Sequence, residues 1–243
     1  MINPLVYKLL EDVSPHLVLW IFLFYILSCV RIILNKKYPE KIKGYGSVIS
    51  ELPGLPLVFM HTVAFIEAYK LNDWVSLFLF SWWGPGFFIF AAVYLYSKIF
   101  HKKINWAPFG LITSYACKID YVIFMAIYWY FGFYTIMFAF SAWIICDQIN
   151  LAYFVGTGDR TRRTFEDFWI LRVMYPGFLF LPFISFNATD LWFFQLFGVL
   201  LFITWFFALY TLYKRGLFFT RYTDPDYLRN IVYLSKRYKK NDQ

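Results

Sequence analysis

The chain has 243 residues, of which 60% are hydrophobic and only 16% are charged. Soluble domains are on average about half apolar and a quarter charged, so this composition argues against an ordinary water-soluble domain. The formal net charge of +8 is carried by blocks of basic residues between apolar segments. That pattern predicts membrane topology, and no nucleic-acid partner is expected.

Seven apolar runs follow one another along the sequence, each close to the roughly 20 residues that a membrane-spanning helix needs. The runs are His16–Asn35, Leu55–Leu71, Trp74–Lys98, Ala107–Tyr130, Tyr134–Gly156, Phe168–Ser185 and Leu191–Tyr213. We therefore predict an all-α membrane protein, built as one bundle of seven transmembrane helices over residues 1–221. A basic cytoplasmic tail, residues 222–243, is expected to follow it.

Lysine and arginine residues are concentrated in alternate connections between these runs. The basic positions within or beside the connections after runs one, three and five are Arg31, Lys36, Lys37, Lys41, Lys43, Lys98, Lys102, Lys103, Arg160, Arg162 and Arg163. The opposite connections carry only Lys70. Because basic loops stay in the cytoplasm, the N-terminus is predicted outside and the C-terminus inside. The endoplasmic reticulum and the bacterial inner membrane fit this pattern equally.

Proline and glycine interrupt two of the predicted helices. Pro53, Gly54 and Pro56 stand at the start of the second run, and Gly84-Pro85-Gly86 stands in the middle of the third. Proline lacks the backbone N–H that an α-helix needs, so both helices should bend or break there. The freed backbone groups need partners in the protein, and a cavity beside Gly84–Gly86 is plausible.

Several ionisable side chains fall inside the runs, where each costs roughly 2.5–3.5 kcal/mol at a helix centre and is therefore a functional candidate. Glu67, Asp147 and Asp120 are the candidate catalytic residues. The candidate substrate-binding residues are His61, Asn150, Arg172, Trp143 and Trp169. Asp147 and Asn150 are three residues apart and share one helix face.

Each acid also has an alternative explanation as part of a neutralising ion pair that fixes helix packing. The pairs would be Asp147 with Arg172, Asp120 with Lys118, and Glu67 with Lys70. The sequence favours neither explanation.

Metal and cofactor sites are not predicted. The three cysteines show no ligand spacing, and the three histidines are scattered along the chain, whereas a membrane di-iron or haem site needs clustered histidines. Aromatic residues make up 25% of the chain. Their faces can stabilise a cation, although most of them are expected to serve packing or to face lipid.

Tyr45-Gly46 precedes the second run, Glu67 lies within it, and Trp169-x-x-Arg172 opens the sixth after a basic loop. With the seven-helix layout, these features resemble the integral membrane terpene cyclases of fungal meroterpenoid and indole-diterpene pathways. In that family a Trp directly precedes the Glu, whereas this chain has Ile66 there. The family's acidic residue in the last helix also has no counterpart here.

The resemblance implies a lyase or isomerase that protonates a terminal epoxide on a prenylated substrate, after which the cation closes rings. Glu67 would be the acid, and a second acid would come from Asp147 or Asp120. The partners would be a lipid-soluble small molecule and membrane lipids. A small transporter or channel, or a non-catalytic subunit that binds other membrane proteins, is the alternative function.

Overall fold

The computed structural model describes residues 2–37, 54–101, 107–154 and 181–214. All regular secondary structure within these ranges is helical. The elements are α1 (Pro4–Lys37), α2 (Gly54–Lys70), α3 (Trp74–Ser81), a π-helix (Trp82–Gly86), α4 (Phe87–Ile99), α5 (Ala107–Phe131), α6 (Tyr134–Phe154), α7 (Leu181–Ala188) and α8 (Trp192–Lys214). The predicted all-α class is thus confirmed over the described residues.

Two helical stretches are long and apolar enough, by length and composition, to cross a membrane: Pro4–Leu34 and Trp74–Ser97. Shorter apolar helical stretches are Ile119–Phe131, Tyr134–Cys146 and Trp192–Phe207. Most of the sixth predicted run and the whole basic tail lie outside the described residues. Helices agree closely with runs two, three, four, five and seven, whereas α1 begins at Pro4, well before the predicted start at His16. The described spans number two.

A proline lies inside α1 without ending the helix. Pro15 has no N–H to bond the carbonyl of Glu11, four residues earlier,. The hydroxyl of Ser14 donates to that same carbonyl at 2.7 Å. This side-chain bond replaces the missing backbone bond, so α1 continues through the proline.

The predicted interruption at Gly84-Pro85-Gly86 is confirmed. The chain leaves the α-helical pattern at Trp82, forms one π-helical turn to Gly86, and resumes an α-helix at Phe87. A π-turn inserts extra backbone into a helix, and such turns are frequent at functional sites. Pro56 lies in the first turn of α2, where the missing N–H costs nothing,.

The chain divides into two compact units, Met1–Val18 with Gly54–Phe140 and Leu19–Pro53 with Ser141–Gln243. The core of the first unit is aromatic. Phe80 and Phe124 stack with centroids 5.1 Å apart, Phe124 and Tyr128 stack at 5.8 Å, and Tyr7 lies 5.4 Å from Phe80. These rings come from α1, α3 and α5, so aromatic contacts hold the three helices together.

The second unit has its own smaller aromatic core. Phe197 of α8 meets Phe22 and Tyr25 of α1, with ring centroids 5.0 and 5.5 Å apart. The Tyr25 hydroxyl lies 2.7 Å from Thr204 Oγ1, and Thr204 itself donates to the carbonyl of Leu200 at 2.7 Å. Tyr25 is therefore the donor to Thr204, which ties α1 to α8.

A carboxylate of α1 caps the start of α6. The backbone N–H groups of Thr135 and Ile136 donate to the two oxygens of Glu11 at 3.0 and 2.7 Å. The first N–H groups of a helix have no partner within it, and the positive end of the helix dipole attracts an anion. Glu11 therefore fixes the entry of α6 into the first unit.

Candidate functional site

His61 lies at the centre of the first unit and has no solvent exposure. Its Nδ1 is 2.7 Å from the carbonyl oxygen of Leu57, one turn earlier in α2. A carbonyl only accepts, so Nδ1 carries the proton of the neutral ring and donates it. The other ring nitrogen, Nε2, then presents a lone pair, and it has no hydrogen-bond partner among the described residues.

Four aromatic rings surround the imidazole of His61. The centroids of Phe80 and Phe124 lie 5.5 Å from it, that of Phe140 lies at 5.8 Å, and that of Trp83 at 6.2 Å. Trp83 and Phe140 also meet edge to face at 5.2 Å. We call these four rings the aromatic cage. It gives the imidazole apolar surroundings that exclude water.

The π-helix approaches α2 at the position of this histidine. A Cβ atom added to Gly84 would lie 2.9 Å from the Cα of Thr62 and 3.1 Å from the carbonyl carbon of His61. Side chains larger than hydrogen do not fit at such distances. Gly84 is therefore the residue that lets the π-helix lie against α2 and bring Trp83 into the cage.

Asp120 of α5, like Asp73, is a buried acid of the first unit, and 6% of its surface is exposed. No hydrogen bond or ion pair joins its carboxyl group to any described residue, and the side chain of Lys118 lies outside the description. Asp120 is one helical turn before Phe124, a ring of the cage, so the two share a face of α5. The next residue, Tyr121, stacks on Phe140 at 5.4 Å.

Hydrogen bonds join polar groups at the start of α1 to polar groups at the start of α3 in the first unit. Asp73 Oδ2 accepts hydrogen bonds from Ser76 Oγ at 2.6 Å and from the backbone N–H of Asn3 at 2.7 Å. Asp73 Oδ1 accepts from the backbone N–H of Ser76 at 3.0 Å and so caps α3. Tyr7 Oη lies 2.7 Å from Ser76 Oγ and is the donor, because that hydroxyl already donates to Asp73.

Glu67, the first candidate acid from the sequence, lies near the C-terminal end of α2. Its carboxylate is 2.6 Å from Lys70 Nζ, and the side chains are 35% and 61% exposed. This is the Glu67–Lys70 pair that the sequence analysis gave as the alternative explanation. The geometry separates Glu67 from the buried His61, although both lie on α2.

The remaining candidate residues belong to the second unit. Trp143 is half-buried on α6. Asp147 and Asn150 lie further along the same helix, but their side chains are outside the described part of the structure, and so are Arg172 and Trp169. Of the eight candidates, His61 and Asp120 are the two that are buried in the first unit.

The cage residues themselves were not singled out by the sequence. Phe80, Trp83, Phe124 and Phe140 are four of many aromatics in apolar runs, and only tertiary packing distinguishes them. A weak signal was present in the spacing of Asp120, Phe124 and Tyr128, which puts a polar group and two rings on one face of a helix.

No family model, no curated protein and no solved structure matches this chain.

Proposed function

We propose that this chain is a seven-span integral membrane enzyme that cyclises a lipid-soluble isoprenoid substrate by acid initiation, with Asp120 as the acid. The observation that carries the proposal is that Asp120 is buried and directly precedes Tyr121, whose ring stacks on Phe140 of the aromatic cage. Desolvating a carboxylate costs much more than desolvating the neutral acid, so such a site favours a group with a proton to give.

The membrane part of the proposal rests on the outer surface of the helices. On α2, the exposed residues Phe59, Val63 and Ile66 lie opposite the buried Leu57 and Ala64. A helix that is apolar on both faces belongs in the core of a large protein or in a membrane. With two candidate spans and five further apolar runs, a membrane-embedded bundle accounts for this surface.

The proposed reaction uses two features of the first unit, the buried acid Asp120 and the aromatic rings. Asp120 transfers its proton to the epoxide oxygen of a prenylated substrate, and one carbon–oxygen bond of the epoxide breaks. The carbon that loses the oxygen becomes cationic, and the oxygen stays on the other carbon as a hydroxyl group. The π electrons of the next double bond attack that carbon and close a ring. Aromatic faces attract the moving positive charge without reacting with it, whereas water would quench it.

Asp120 suits the acid role better than Glu67, because the Glu67 carboxylate is ion-paired and one-third exposed. His61 stays a candidate substrate-binding side chain of the first unit. Asp147, Asn150, Arg172, Trp143 and Trp169 belong to the second unit and stay predictions from the sequence. The proposed reaction needs no metal or cofactor.

The test compares wild type with Asp120→Asn and with the matched control Glu67→Gln. Each change turns a carboxylic acid into its amide in the first unit. Membranes of equal protein content are given epoxidised prenyl substrates, and cyclic products are measured by mass spectrometry. Loss of an acid costs about 10²–10⁴-fold in rate, so Asp120→Asn should lose at least about 100-fold while Glu67→Gln stays within about threefold of wild type.

Two outcomes contradict the proposal. If a folded Asp120→Asn variant retains the wild-type rate, Asp120 is not the acid. If wild type forms no cyclic product from several epoxidised substrates, the cyclase function is wrong.

A second candidate function is transport of a solute across the membrane, and the π-helix favours it. Interrupted helices at membrane depth commonly line the binding sites of transporters. Wild type in proteoliposomes would then accelerate the flux of a small solute, and Gly84→Ala would reduce it. A cyclase should leave flux unchanged relative to empty liposomes.

A further inference from the structure

His61 Nε2 and the Tyr128 hydroxyl are buried polar atoms of the first unit that have no hydrogen-bond partner among the described residues. A buried nitrogen without a hydrogen-bond partner is a cost to folding that native structures seldom carry. A phenylalanine would suit the same surroundings, since three of the four rings of the cage are phenylalanines and the fourth is the indole of Trp83. An unsatisfied polar group in such a place needs an explanation, and a catalytic role is one of the recognised explanations.

The hydrogen bond on the opposite side of the ring fixes what Nε2 can do. Because Nδ1 donates to Leu57, the proton of the neutral ring stays there and the lone pair of Nε2 stays available. This is the arrangement that a histidine general base requires, with one nitrogen held by an acceptor and the other ready to take a proton.

We infer that His61 is the base that ends the cyclisation by removing a proton from the cyclised cation. The inference rests on the proposed function and adds a second catalytic residue to it. A C–H bond next to the cationic carbon breaks, its electron pair becomes the π bond of an alkene, and the proton goes to Nε2. The imidazolium loses that proton to water after the product leaves, and Asp120 regains one in the same way.

The aromatic cage explains why the base matters for the product. The rings exclude water from the imidazole and attract positive charge, so a cation beside His61 persists until a base deprotonates it. Without a base the cation is not deprotonated and instead reacts with water, which gives an alcohol instead of an alkene. The ratio of alkene to alcohol therefore reports on the base, while the rate of substrate consumption reports on the acid.

The experiment compares wild type with His61→Asn and His61→Phe, using membranes and epoxidised prenyl substrates. His16→Asn is the matched control, because His16 is an exposed histidine of α1. We expect both His61 variants to shift the product ratio from alkene towards alcohol at least about tenfold. His16→Asn should leave the ratio unchanged.

Thermal unfolding in detergent separates this role from a structural one. The carbonyl of Leu57 also lies at the i−4 position for the helical N–H of residue 61, so removing the ring bond leaves it a backbone partner. His61→Phe should therefore unfold at the wild-type temperature or above it. If both variants unfold at a clearly lower temperature, or fail to fold, His61 is structural and the inference is wrong.

The remaining outcomes are also decisive. A folded His61→Asn variant that still makes the wild-type fraction of alkene overturns the inference and leaves the proposed function intact. Wild type that makes no cyclic product overturns the proposed function, and the base step falls with it.

Discussion

Asp73 shows how one side chain can join two segments that are distant in sequence. It lies between α2 and α3, accepts from Asn3 and Ser76, and through Ser76 is linked to Tyr7. Burial by itself raises the pKa of the Asp73 carboxyl, but the hydrogen bonds from Ser76 and Asn3 outweigh it and hold the pKa below its ordinary value of 3.8. The folded state therefore prefers the carboxylate.

The first prediction concerns Asp73→Ala. Losing the cap of α3 should lower the free energy of unfolding by about 0.5–2 kcal/mol near neutral pH. Because the folded pKa lies below the unfolded 3.8, this stabilisation is complete above pH 3.8 and is lost as the pH falls through the folded value,. Thermal unfolding of both proteins in detergent, from neutral pH downwards, measures the difference.

The stability difference between wild type and Asp73→Ala should shrink as the solution becomes acidic. Asp12→Ala is the control, because Asp12 is an exposed acid of α1. A difference that stays constant down to about pH 2 would contradict the role of the carboxylate charge.

Glu67 on α2 and Asp120 on α5 show what the sequence can predict about single residues. It named both Glu67 and Asp120 as candidates, because any acid in an apolar run is expensive. It also named Lys70 as an alternative partner for Glu67, and the structure has that ion pair. Whether an acid is buried depends on which helix face is covered by neighbours, and neighbours from distant segments leave no trace in the local sequence.

At the scale of elements, the π-helix between α3 and α4 combines a local and a tertiary cause. Pro85 prevents regular α-helical bonding, which is a property of the residue itself. The close approach to Thr62 instead requires that residue 84 have no side chain. The interruption could be predicted from the sequence, but its contact with α2 could not.

The second prediction is that Gly84→Ala destabilises the first unit. The added Cβ meets the backbone of Thr62 at 2.9 Å, and forcing extra atoms into a packed interior costs about 1–3 kcal/mol. Thermal unfolding in detergent measures the loss. Adding Thr62→Ala is the control. Since the clash is with backbone atoms, the double variant should be no more stable than Gly84→Ala, and rescue by Thr62→Ala would contradict this explanation.

Over the whole molecule, the inward-facing and the outward-facing surfaces of the helices are both apolar, but they differ in the side chains that form them. The interior of the first unit is dominated by rings that contact one another, such as Phe80 with Phe124. Large apolar side chains also face outwards, among them Phe78 at 76% and Tyr130 at 81% exposure. Such a surface is costly in water and suits hydrocarbon, which is why the proposed environment is a bilayer.

The third prediction is that the two ends of the chain lie on opposite sides of the membrane. The seven predicted spans require this, and the distribution of basic residues predicts a cytoplasmic C-terminus. A fluorescent reporter that folds only in the cytoplasm should be bright when fused after Gln243 and dark when fused before Met1. A chain with six or eight spans would give the same signal at both ends.

The sequence by itself determined that the described ranges are helical and apolar, where most of their helices begin and end, and that one of them is interrupted at Gly84–Gly86. These features follow from run length, hydrophobicity and the missing N–H of proline, which are local properties. Only the tertiary structure decided that Asp120 is buried, that Glu67 is paired at the surface, and that four rings enclose His61. These features depend on contacts between residues far apart in the chain. The local sequence around one aromatic ring or one acid does not show which of them will make such contacts.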